Sequence, residues 1–537
     1  MKVKFCAQLK SSAAPTGLRG VFGAAFPALK RWANIPCAYG AKRCEPLKSS
    51  TIVHAIALVA SAAYCTAPVL CVIRFQMIQN CRFLIALLAA IPLVVSSVQA
   101  QNVAPTPPMG WNSWDAYGLT INEDQFKANA TVLAGVEQYG WQYAVIDEGW
   151  YMANPDGKGL AERKYLLDGN GTLMPVAARF PSAANGGGFK PLADWVHHQG
   201  LRFGIHIVRG IPRDAVTRNL PIAGSKFMAA DAADTSSPCP WDDGNWGVKD
   251  NAAGQAWYDS QIKAFANWGV DFLKVDCISD HPYVASEIRQ IAVAIQKTGR
   301  PMVLSLSPGP TNLEHAAEVQ KYAQMWRIAD DHWDFWLAEH KDVGEFPFGT
   351  RDEFDRLAKW YTYTGPGSWP DADMLPFGKL EPHPGYGAPR HSNLTPDEEK
   401  TEFALWCITR SPLIMGANLT KLDDLTKSFL SNQNMLFINQ NATYSRPVDA
   451  SKLGPGFENI RVWRASINDP GARGYKEYFG FFNLGETATN VKTTWLALGL
   501  DGKKHSATNQ WDDSETKDSK EITVTIPAHG SQVYEVQ

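Results

Sequence analysis

Residues 252–276 read AAGQAWYDSQIKAFANWGVDFLKVD, and this stretch contains the unit that decides the fold. Its first part, Ala252 to Trp268, is predicted to form a helix, and Gly269 marks the end of that helix. The largely apolar run from Asp271 to Val275 is predicted to form a strand, directly followed by Asp276. Apolar strands of this kind are typical of parallel sheets that are buried on both faces.

The same unit of helix, glycine, apolar strand and polar residue recurs along the middle of the chain. The helix predicted at Asn122 to Gln138 begins with a capping-box pattern at Asn122 and Gln125. It is followed by the predicted strand Tyr143 to Ile146. Further copies contain the strands Arg202 to Ile205 and Met302 to Leu306, and the polar residues after the strands are Asp147, Glu148, His206 and Ser307.

Serial units of this kind form either an open doubly wound sheet or a closed barrel. Polar residues follow strand after strand, as they do where a barrel gathers a site at the carboxyl ends of its strands. A glycine-rich dinucleotide fingerprint does not follow the first strand, which weakens the open-sheet alternative. The prediction is therefore an α/β fold with a (β/α)8 barrel (TIM barrel) over residues 101–440.

After about Gln440 the pattern changes to short segments with period-two alternation, separated by turn clusters such as Asp501-Gly502 and Asp469-Pro470-Gly471. This pattern predicts a small antiparallel β-sandwich over residues 441–537. Its default role is packing against the barrel, although such a domain can also bind sugar. The predicted strands are Arg461 to Ala465, Tyr478 to Asn483, Val491 to Leu496, Ile522 to Ile526 and Ser531 to Val536.

The composition is that of an ordinary globular protein, with 45% apolar and 20% charged residues and a net charge of -3. The chain has no long basic run, which argues against a nucleic-acid partner. The 19 tryptophans fit two interpretations, core packing and platforms on which sugars stack, and their positions must decide between them.

The first hundred residues differ from the rest of the chain. Residues 77–100 resemble a secretory signal peptide, with Met77, the basic Arg82, an apolar core and a small-residue cleavage site at Ala100. The apolar run at residues 51–73 is long enough for a membrane anchor. Residues 1–76 are either that anchor region or an upstream extension before a true start at Met77, and the second interpretation is favoured. The folded chain is expected to begin near Gln101 and to be secreted.

Three cysteines follow that cut, namely Cys239, Cys277 and Cys407, and an odd number in a secreted chain predicts one disulfide and one buried thiol. Glycosylation sequons are weak additional support for secretion. They lie at Asn129, Asn170, Asn393, Asn418 and Asn441.

Two acidic positions stand out as candidates for catalysis. Hydrolysis of a glycoside with retention needs two carboxyl groups about 5–5.5 Å apart, one charged and one protonated. Asp276 follows a strand, and Lys274 lies on the same side of that strand, where its charge favours the carboxylate form. A helix N-cap is the structural alternative for Asp276.

The second candidate lies in residues 326–336, which read WRIADDHWDFW. A carboxyl group walled by large aromatic side chains has a raised pKa, as a general acid requires. Arg327 is suited to grip a sugar hydroxyl or a carboxylate with two hydrogen bonds. The alternative is a solvated helix start capped by Asp330 or Asp331.

Residues from about 104 to 440 resemble glycoside hydrolase family 27, which comprises α-galactosidases and α-N-acetylgalactosaminidases. The resemblance rests on an ordered set of motifs rather than on any one of them. They are PPMGWNSW at 107–114, VIDEGW at 145–150, FLKVD at 272–276, Trp326-Arg327 with Asp331, GPGSWPDADML at 365–375 and INQ at 438–440. It implies a barrel followed by a β domain, in agreement with the patterns above.

The resemblance also implies roles for individual residues. Asp276 matches the family's nucleophile and Asp331 its acid/base, with Asp330 as the second choice. Cys239 and Cys277 match a disulfide that flanks the nucleophile strand, although Cys277 is one position closer to the nucleophile than usual. The residues implied to contact the sugar are Trp114, Asp147, Glu148, His206, Lys274, Ser307, Arg327 and Asp373.

Three departures from the family pattern concern the sugar. Glu148 stands where a second Asp is common, and its extra methylene reaches into the space of a galactose hydroxymethyl group, which favours a pentopyranose such as L-arabinopyranose. His206 stands where Tyr is common and is followed by Arg209 and Arg213. Ser307 replaces a Glu near the 2-substituent, and its small side chain either leaves room for an N-acetyl group or removes a contact to a 2-hydroxyl group.

The expected function is hydrolysis of terminal α-galactosyl residues by a retaining exo-glycosidase through a glycosyl-enzyme intermediate. The alternatives keep the mechanism but use β-L-arabinopyranosides or α-N-acetylgalactosaminides, and a further alternative is an inert secreted sugar-binding protein. No metal or organic cofactor is expected, since no Cys/His spacing typical of zinc occurs. The expected partner is a carbohydrate, and a membrane is involved only if residues 51–73 are retained.

Overall fold

The structure is a computed structural model, and it describes residues 103–339, 346–469 and 474–537. The predicted signal peptide at residues 77–100 and the anchor candidate at residues 51–73 lie outside these ranges. Within the described ranges, no helix combines the length and the apolar character that crossing a membrane requires.

Eight parallel strands form the sheet of the first domain. The strands are Met109–Asn112 (β1), Tyr143–Ile146 (β2), Arg202–Val208 (β3), Phe272–Asp276 (β4), Val303–Leu306 (β5), Met325–Arg327 (β6), Trp369–Asp371 (β7) and Leu413–Met415 (β8). Their order around the sheet is β7-β6-β5-β4-β3-β2-β1-β8. Leu375, just beyond β7, forms a parallel bridge with Met415 of β8 and closes the barrel.

Helices cover the outside of this barrel and bury their apolar faces against the strands. The α-helices described are Trp114–Tyr117, Glu123–Ala134, Gly159–Arg163, Lys190–His198, Arg213–Thr217, Ala229–Ala232, Ala252–Trp268, Ala285–Thr298, Ala316–Tyr322, Thr350–Trp360, Pro396–Thr409, Asp424–Ser431 and Gln433–Asn441. Short strands in the connections are Ile211–Pro212, Ala233–Asp234, Asn245–Val248, Lys379–Leu380 and Arg390–His391.

The predicted (β/α)8 barrel is therefore confirmed, and several of its elements have the predicted bounds. The helix Ala252–Trp268 ends at Gly269, whose φ of 94° is the left-handed conformation that glycine adopts without strain. Asn122 and Gln125 form the predicted capping box. That helix ends at Ala134 and not at Gln138, since a separate 3-10 turn follows it.

Strand β3 is longer than predicted and continues to Val208. Its residues from Gly204 onward pair in parallel with β4, and His206 lies opposite Lys274. The prediction that this strand ends before His206 was wrong, because the backbone pairing with β4 continues through the polar residue.

The C-terminal domain contains a six-stranded antiparallel sheet and a two-stranded sheet. The strands are Tyr444–Val448 (β9), Ile460–Asp469 (β10), Gly474–Asn483 (β11), Thr489–Thr494 (β12), His505–Asn509 (β13), Glu515–Ser519 (β14), Glu521–Ile526 (β15) and Ser531–Val536 (β16). The six-stranded sheet has the order β9-β10-β11-β16-β13-β14, and β12 pairs with β15. The predicted strand at Val491 to Leu496 ends at Thr494, because Trp495 turns into the core of the domain.

The two domains share a continuous hydrophobic core, to which Trp463, Tyr478 and Phe482 contribute together with residues of the barrel. A polar contact lies beside it. His529 of the C-terminal domain stacks on Trp336 with ring centroids 4.3 Å apart, and its Nδ1 lies 2.7 Å from a carboxylate oxygen of Glu398. Trp336 belongs to the segment that follows β6, so the C-terminal domain contacts a loop of the barrel mouth.

Candidate active site

The carboxyl ends of the barrel strands bring the predicted site residues together at one mouth. Asp147 directly follows β2, Asp276 is the last residue of β4, Arg327 is the last residue of β6, and Asp331 follows four residues later. Parallel strands direct all of these ends to the same side of the barrel. The site therefore combines residues from distant parts of the chain.

Asp276 lies among hydrogen-bond donors and positive charge. The backbone N–H of Cys277 donates to its Oδ1 over 2.8 Å, and Nε2 of His206 lies 3.5 Å from its Oδ2. Burial alone would raise the pKa of this carboxyl, but the His206 hydrogen bond and the charges of His206 and Lys274 lower it below its ordinary value. Asp276 is therefore a carboxylate at neutral pH, as a nucleophile requires.

Asp147 is bound from several sides and is 2% exposed. Nζ of Lys274 donates to its Oδ2 over 2.8 Å, and Nδ2 of Asn112 donates to the same oxygen over 2.7 Å. Against the effect of burial, the charges of Lys274 and His206 hold the pKa of Asp147 well below its usual range. The same pairing raises the pKa of Lys274, so both groups remain charged in the base of the site.

Asp331, in contrast to Asp276 and Asp147, is surrounded mainly by other carboxyl groups. Arg327 Nη2 lies 3.3 Å from its Oδ1, yet the side chain keeps 34% exposure toward the mouth. Desolvation in the mouth raises the pKa of Asp331 to about 7, with the Arg327 charge opposing this and the charges of Asp373, Asp330 and Asp276 adding to it. A carboxyl group with this pKa can hold a proton and release it near neutral pH.

Asp330, the competing residue, has its side chain turned toward the backbone. Its Oδ1 accepts a hydrogen bond of 2.8 Å from the N–H of Asp331, the same contact that Asp276 makes with the N–H of Cys277. This contact does not separate the two candidates, whereas the position of Arg327 Nη2, 3.3 Å from Oδ1 of Asp331, favours Asp331.

Asp373 lies behind Arg327 and holds two parts of the acid/base segment. Its Oδ2 is 2.7 Å from Nη2 of Arg327 and accepts a hydrogen bond of 2.9 Å from the N–H of His332. The φ of 83° at Asp373 is a left-handed conformation, which is uncommon for a residue other than glycine. Asp373 is 3% exposed, about as buried as Asp147, and it lines the same cavity as Lys274 and Ser307 besides contacting Arg327. Its predicted contact with the sugar stays a prediction.

His332, whose N–H donates to Asp373, contacts Glu402 deeper in the protein. Its Nε2 lies 3.0 Å from Oε2 of Glu402, and both side chains are fully buried. Thr350 donates a further hydrogen bond of 2.6 Å to the same oxygen of Glu402. Although burial opposes it, the Glu402 charge raises the pKa of His332 to about 9, so His332 is protonated at neutral pH.

Glu148 and His206 line the side of the site next to Asp276. His206 Nε2 lies 4.0 Å from Oδ1 of Asp147 as well as near Asp276, and these carboxylates raise its pKa despite burial. Burial raises the pKa of Glu148 to about 8, the His206 charge opposes this shift, and the charges of Asp242 and Asp276 add to it. Glu148 is therefore protonated at neutral pH and able to donate a hydrogen bond.

Trp114 and Ser307 complete the predicted set. Trp114 is half-buried and packs in an aromatic cluster with Trp333. Gly385 passes so close to the Trp114 ring that a Cβ there would lie 2.3 Å from ring atoms, which requires glycine. Ser307 is 2% exposed and lines a small internal cavity together with Lys274.

The disulfide implied by the family resemblance is present. Cys239 and Cys277 are bonded with their Cα atoms 6.0 Å apart, and Cys407 is a free, buried thiol. Arg209 supports this region, since its Nε donates to the carbonyl of Cys277 over 2.6 Å and its Nη1 pairs with Glu287 over 2.7 Å. The residue after the nucleophile candidate is thus held both covalently and by a buried ion pair.

Several residues of the site are not among those predicted from the sequence. Asn112 and Asp115 lie in or beside the motif at 107–114, so their place in the motif was the available signal. Asp115 is fully buried and finds no hydrogen-bond partner among the described residues, and burial raises its pKa. Glu402 carried no local signal, because its partner His332 lies 70 residues away and only folding joins them.

Comparison with known proteins agrees with this geometry. A family model described as "Alpha galactosidase A" matches residues 242–441, and one described as "Alpha galactosidase C-terminal beta sandwich domain" matches residues 458–536. The crystal structure of a family 27 β-L-arabinopyranosidase from Geobacillus stearothermophilus is 38% identical, with a TM-score of 0.74, and the match covers 82% of this chain and 98% of that chain. This chain belongs to glycoside hydrolase family 27.

Other relatives of this family 27 glycoside hydrolase differ in their names. The structure of a putative α-N-acetylgalactosaminidase from Bacillus halodurans is 36% identical with a TM-score of 0.69, and the match covers 81% of this chain and 98% of that chain. Alpha-galactosidase A of Cellvibrio japonicus is 27% identical over 473 residues, covering 85% of this chain and 98% of that protein. These comparisons show the family, whereas the relatives themselves are named after three different sugars.

Proposed function

We propose that this family 27 enzyme is a retaining exo-glycosidase that acts by double displacement. The observation that carries the proposal is that two carboxyl groups with different surroundings lie at one barrel mouth, Asp276 with His206 3.5 Å away and Asp331 with Arg327 3.3 Å away. Asp276 has a lowered pKa and Asp331 a raised one, and the charge of Asp276 is itself among the causes that raise the pKa of Asp331. Two carboxyl groups whose environments separate their pKa values divide the roles of nucleophile and acid.

In the first step, a carboxylate oxygen of Asp276 attacks the anomeric carbon, and the bond from that carbon to the leaving oxygen breaks. Asp331 transfers its proton to the leaving oxygen, which departs as a neutral alcohol. In the second step, Asp331 accepts a proton from a water molecule while that water attacks the anomeric carbon. The bond to Asp276 breaks, and the sugar is released with its original configuration.

The sugar that we propose is a β-L-arabinopyranose, which has the ring configuration of galactose without the hydroxymethyl group. Glu148 carries this proposal, because it adds one methylene and a protonated carboxyl beside Asp147 and His206. The G. stearothermophilus β-L-arabinopyranosidase, whose related crystal form is a complex with arabinose, adds support. Asp147 and Lys274 remain as charged partners for the ring hydroxyls.

An α-D-galactoside is the second candidate, supported by the α-galactosidase family models and by the curated relatives. An α-N-acetylgalactosaminide is supported by the small side chain of Ser307 and by the B. halodurans relative. All three sugars fit the same two carboxyl groups, so they differ in binding and not in reaction type.

The three nitrophenyl glycosides distinguish these sugars through their values of kcat/KM. We expect the β-L-arabinopyranoside to be preferred. Glu148→Asp should shift the ratio of arabinopyranoside to galactoside about 10- to 200-fold toward galactoside, the discrimination that one methylene provides. The matched control is Glu137→Asp, at an exposed residue outside the site. A wild-type enzyme that prefers the galactoside, with a ratio insensitive to Glu148→Asp, would contradict the choice of sugar.

We also infer that the enzyme is secreted, since the Cys239–Cys277 disulfide suits an oxidising compartment. Asn393 and Asn441 are exposed and open to glycosylation. Asn129 and Asn418 are buried, at 0% and 3% exposure, so these two sequons are excluded as glycan acceptors in the folded protein. Mass spectrometry of peptides from the secreted protein tests this, and glycans at Asn129 would contradict the assignment.

A further inference from the structure

Trp241 is an apolar side chain that remains 47% exposed beside the candidate active site. It contacts one other aromatic group, His281, with ring centroids 5.0 Å apart and ring planes inclined by 54°. Burying an exposed indole on binding a ligand is favourable, because its large apolar face leaves water. The question is therefore which ligand reaches this position.

The residues on either side of Trp241 place it at the rim of the mouth. Asp242, the next residue, accepts a hydrogen bond of 3.0 Å from Tyr165, and its charge acts on Glu148 inside the site. Its ring partner His281 lies five residues after Asp276, in the segment that follows the nucleophile strand. Trp241 thus packs against the loop that leaves the mouth directly after Asp276.

Trp241 is also anchored more firmly than an ordinary surface loop residue. Cys239, two residues earlier, is bonded to Cys277, which directly follows the nucleophile candidate. Arg209 donates to the carbonyl of Pro238 over 3.3 Å as well as to that of Cys277 over 2.6 Å. The disulfide and Arg209 therefore fix the base of the Trp241 segment relative to the strand that carries Asp276.

We propose that Trp241 and His281 form a stacking platform for the leaving group of the substrate. The inference rests on the proposed function, because it takes the released sugar to lie in the pocket around Asp147, Lys274 and Glu148. The other half of the substrate must then project outward, past the oxygen that Asp331 protonates. Trp241 stands at that rim, and a pyranose or aryl ring attached through this oxygen would cover its apolar face.

The platform predicts a selective effect of Trp241→Ala on substrates with a large leaving group. A glycosyl fluoride of the preferred sugar has a leaving group of one atom, whereas a disaccharide carries a whole ring. We expect the ratio of kcat/KM for the disaccharide to that for the fluoride to fall at least tenfold in Trp241→Ala. Trp241→Phe, which keeps an aromatic face, should show a smaller fall.

A second readout is transfer to an acceptor sugar, which must occupy the same position as the leaving group. With the fluoride as donor, the ratio of transfer product to hydrolysis product should fall in Trp241→Ala. The control is Tyr475→Ala, which removes another exposed aromatic side chain, 63% exposed, on the C-terminal domain. It should leave both ratios at their wild-type values.

The outcomes separate this inference from the proposed function. If Trp241→Ala lowers both rates equally, or changes neither, the platform is wrong while the glycosidase stands. If the wild-type enzyme hydrolyses neither the fluorides nor the disaccharides of the three candidate sugars, the proposed function fails and the platform fails with it.

Discussion

The two sides of the barrel mouth shift the pKa of an aspartate in opposite directions. On the side of β2 to β4, Asp276 is surrounded by His206 and Lys274, and its pKa is lowered. On the side of β6 and β7, Asp331 has one cation, Arg327, among three carboxyl groups, and its pKa is raised to about 7. Both residues are aspartates at or just beyond the end of a strand, so their neighbours decide their proton states.

The comparison shows how a barrel can build an acid and a nucleophile from one residue type. Burial raises the pKa at both positions, and the neighbouring groups then lower it at Asp276, whereas at Asp331 three carboxyl groups add to the rise against the charge of Arg327. Arg327 does not overcome its surroundings, because Asp373 lies 2.7 Å from it and takes up much of its charge. Four substitutions test this difference in pKa between the two sides of the mouth, and they follow in order of decreasing expected effect.

The largest effect is expected from Asp276→Gly, which removes the group that bonds to the sugar. We expect kcat on a nitrophenyl glycoside to fall on the order of 10⁴-fold. Added azide should restore turnover and give a glycosyl azide of inverted configuration, detected by NMR. A rescued product of retained configuration would contradict the assignment of Asp276.

Asp331→Ala should lower kcat by about 10²- to 10⁴-fold on substrates whose leaving group needs a proton. A dinitrophenyl leaving group departs without that proton, so the first step on such a substrate should be much less affected. Azide should give a product of retained configuration, opposite to the result for Asp276→Gly. The comparison is made on kcat/KM, which reports the first step, because kcat also includes the second step, in which Asp331 is the base. Equal losses of kcat/KM on both kinds of leaving group would show that Asp331 is not the acid.

Lys274→Met removes a positive charge from the nucleophile side. The pKa of Asp276 should rise, since Lys274 lowers it, and the acidic limb of kcat/KM against pH should move to higher pH. The buried Asp147 also loses a partner, for which we expect a loss of about 3 kcal/mol in the free energy of unfolding. Lys263→Met, at an exposed residue of a barrel helix, is the control for losing a lysine. An unmoved acidic limb would contradict the role of Lys274.

The smallest effect is expected from Asp330→Asn, which keeps an oxygen for the Asp331 N–H but removes a negative charge. Asp330 raises the pKa of Asp331, so its removal should lower that pKa. The alkaline limb of kcat/KM, expected near the Asp331 pKa of about 7, should therefore move to lower pH, by about half a unit. A fall in kcat as large as that of Asp331→Ala would make Asp330 the acid.

Much of the fold follows from local patterns in the sequence. The helix Ala252–Trp268 and the strands Tyr143–Ile146 and Ser531–Val536 have the predicted bounds, because their apolar periodicity and their terminating residues agree. The strand Glu515–Ser519 was not predicted. It is mostly exposed at the edge of its sheet, so its sequence ETKDS lacks the alternation that buried strands show.

Residues of the site could be predicted only where they belong to a recognisable sequence motif. Asp276 and Lys274 occur two residues apart on one strand, so both the residues and their shared side could be read from the sequence. The contact of Asp373 with Arg327 depends on a left-handed backbone and on two neighbouring strands, neither of which the sequence pattern specifies. The pairing of Arg327 with Asp331, 3.3 Å apart, likewise became visible only in the coordinates.

The stacking of His529 on Trp336 has a consequence for engineering this enzyme. The C-terminal domain touches the segment after β6 and shares one hydrophobic core with the barrel, so we expect the barrel to depend on it for stability. A truncated barrel would expose a wide apolar surface and release the loop beside Asp331. Chimeras that exchange sugar preference between relatives should therefore carry both domains across the junction together.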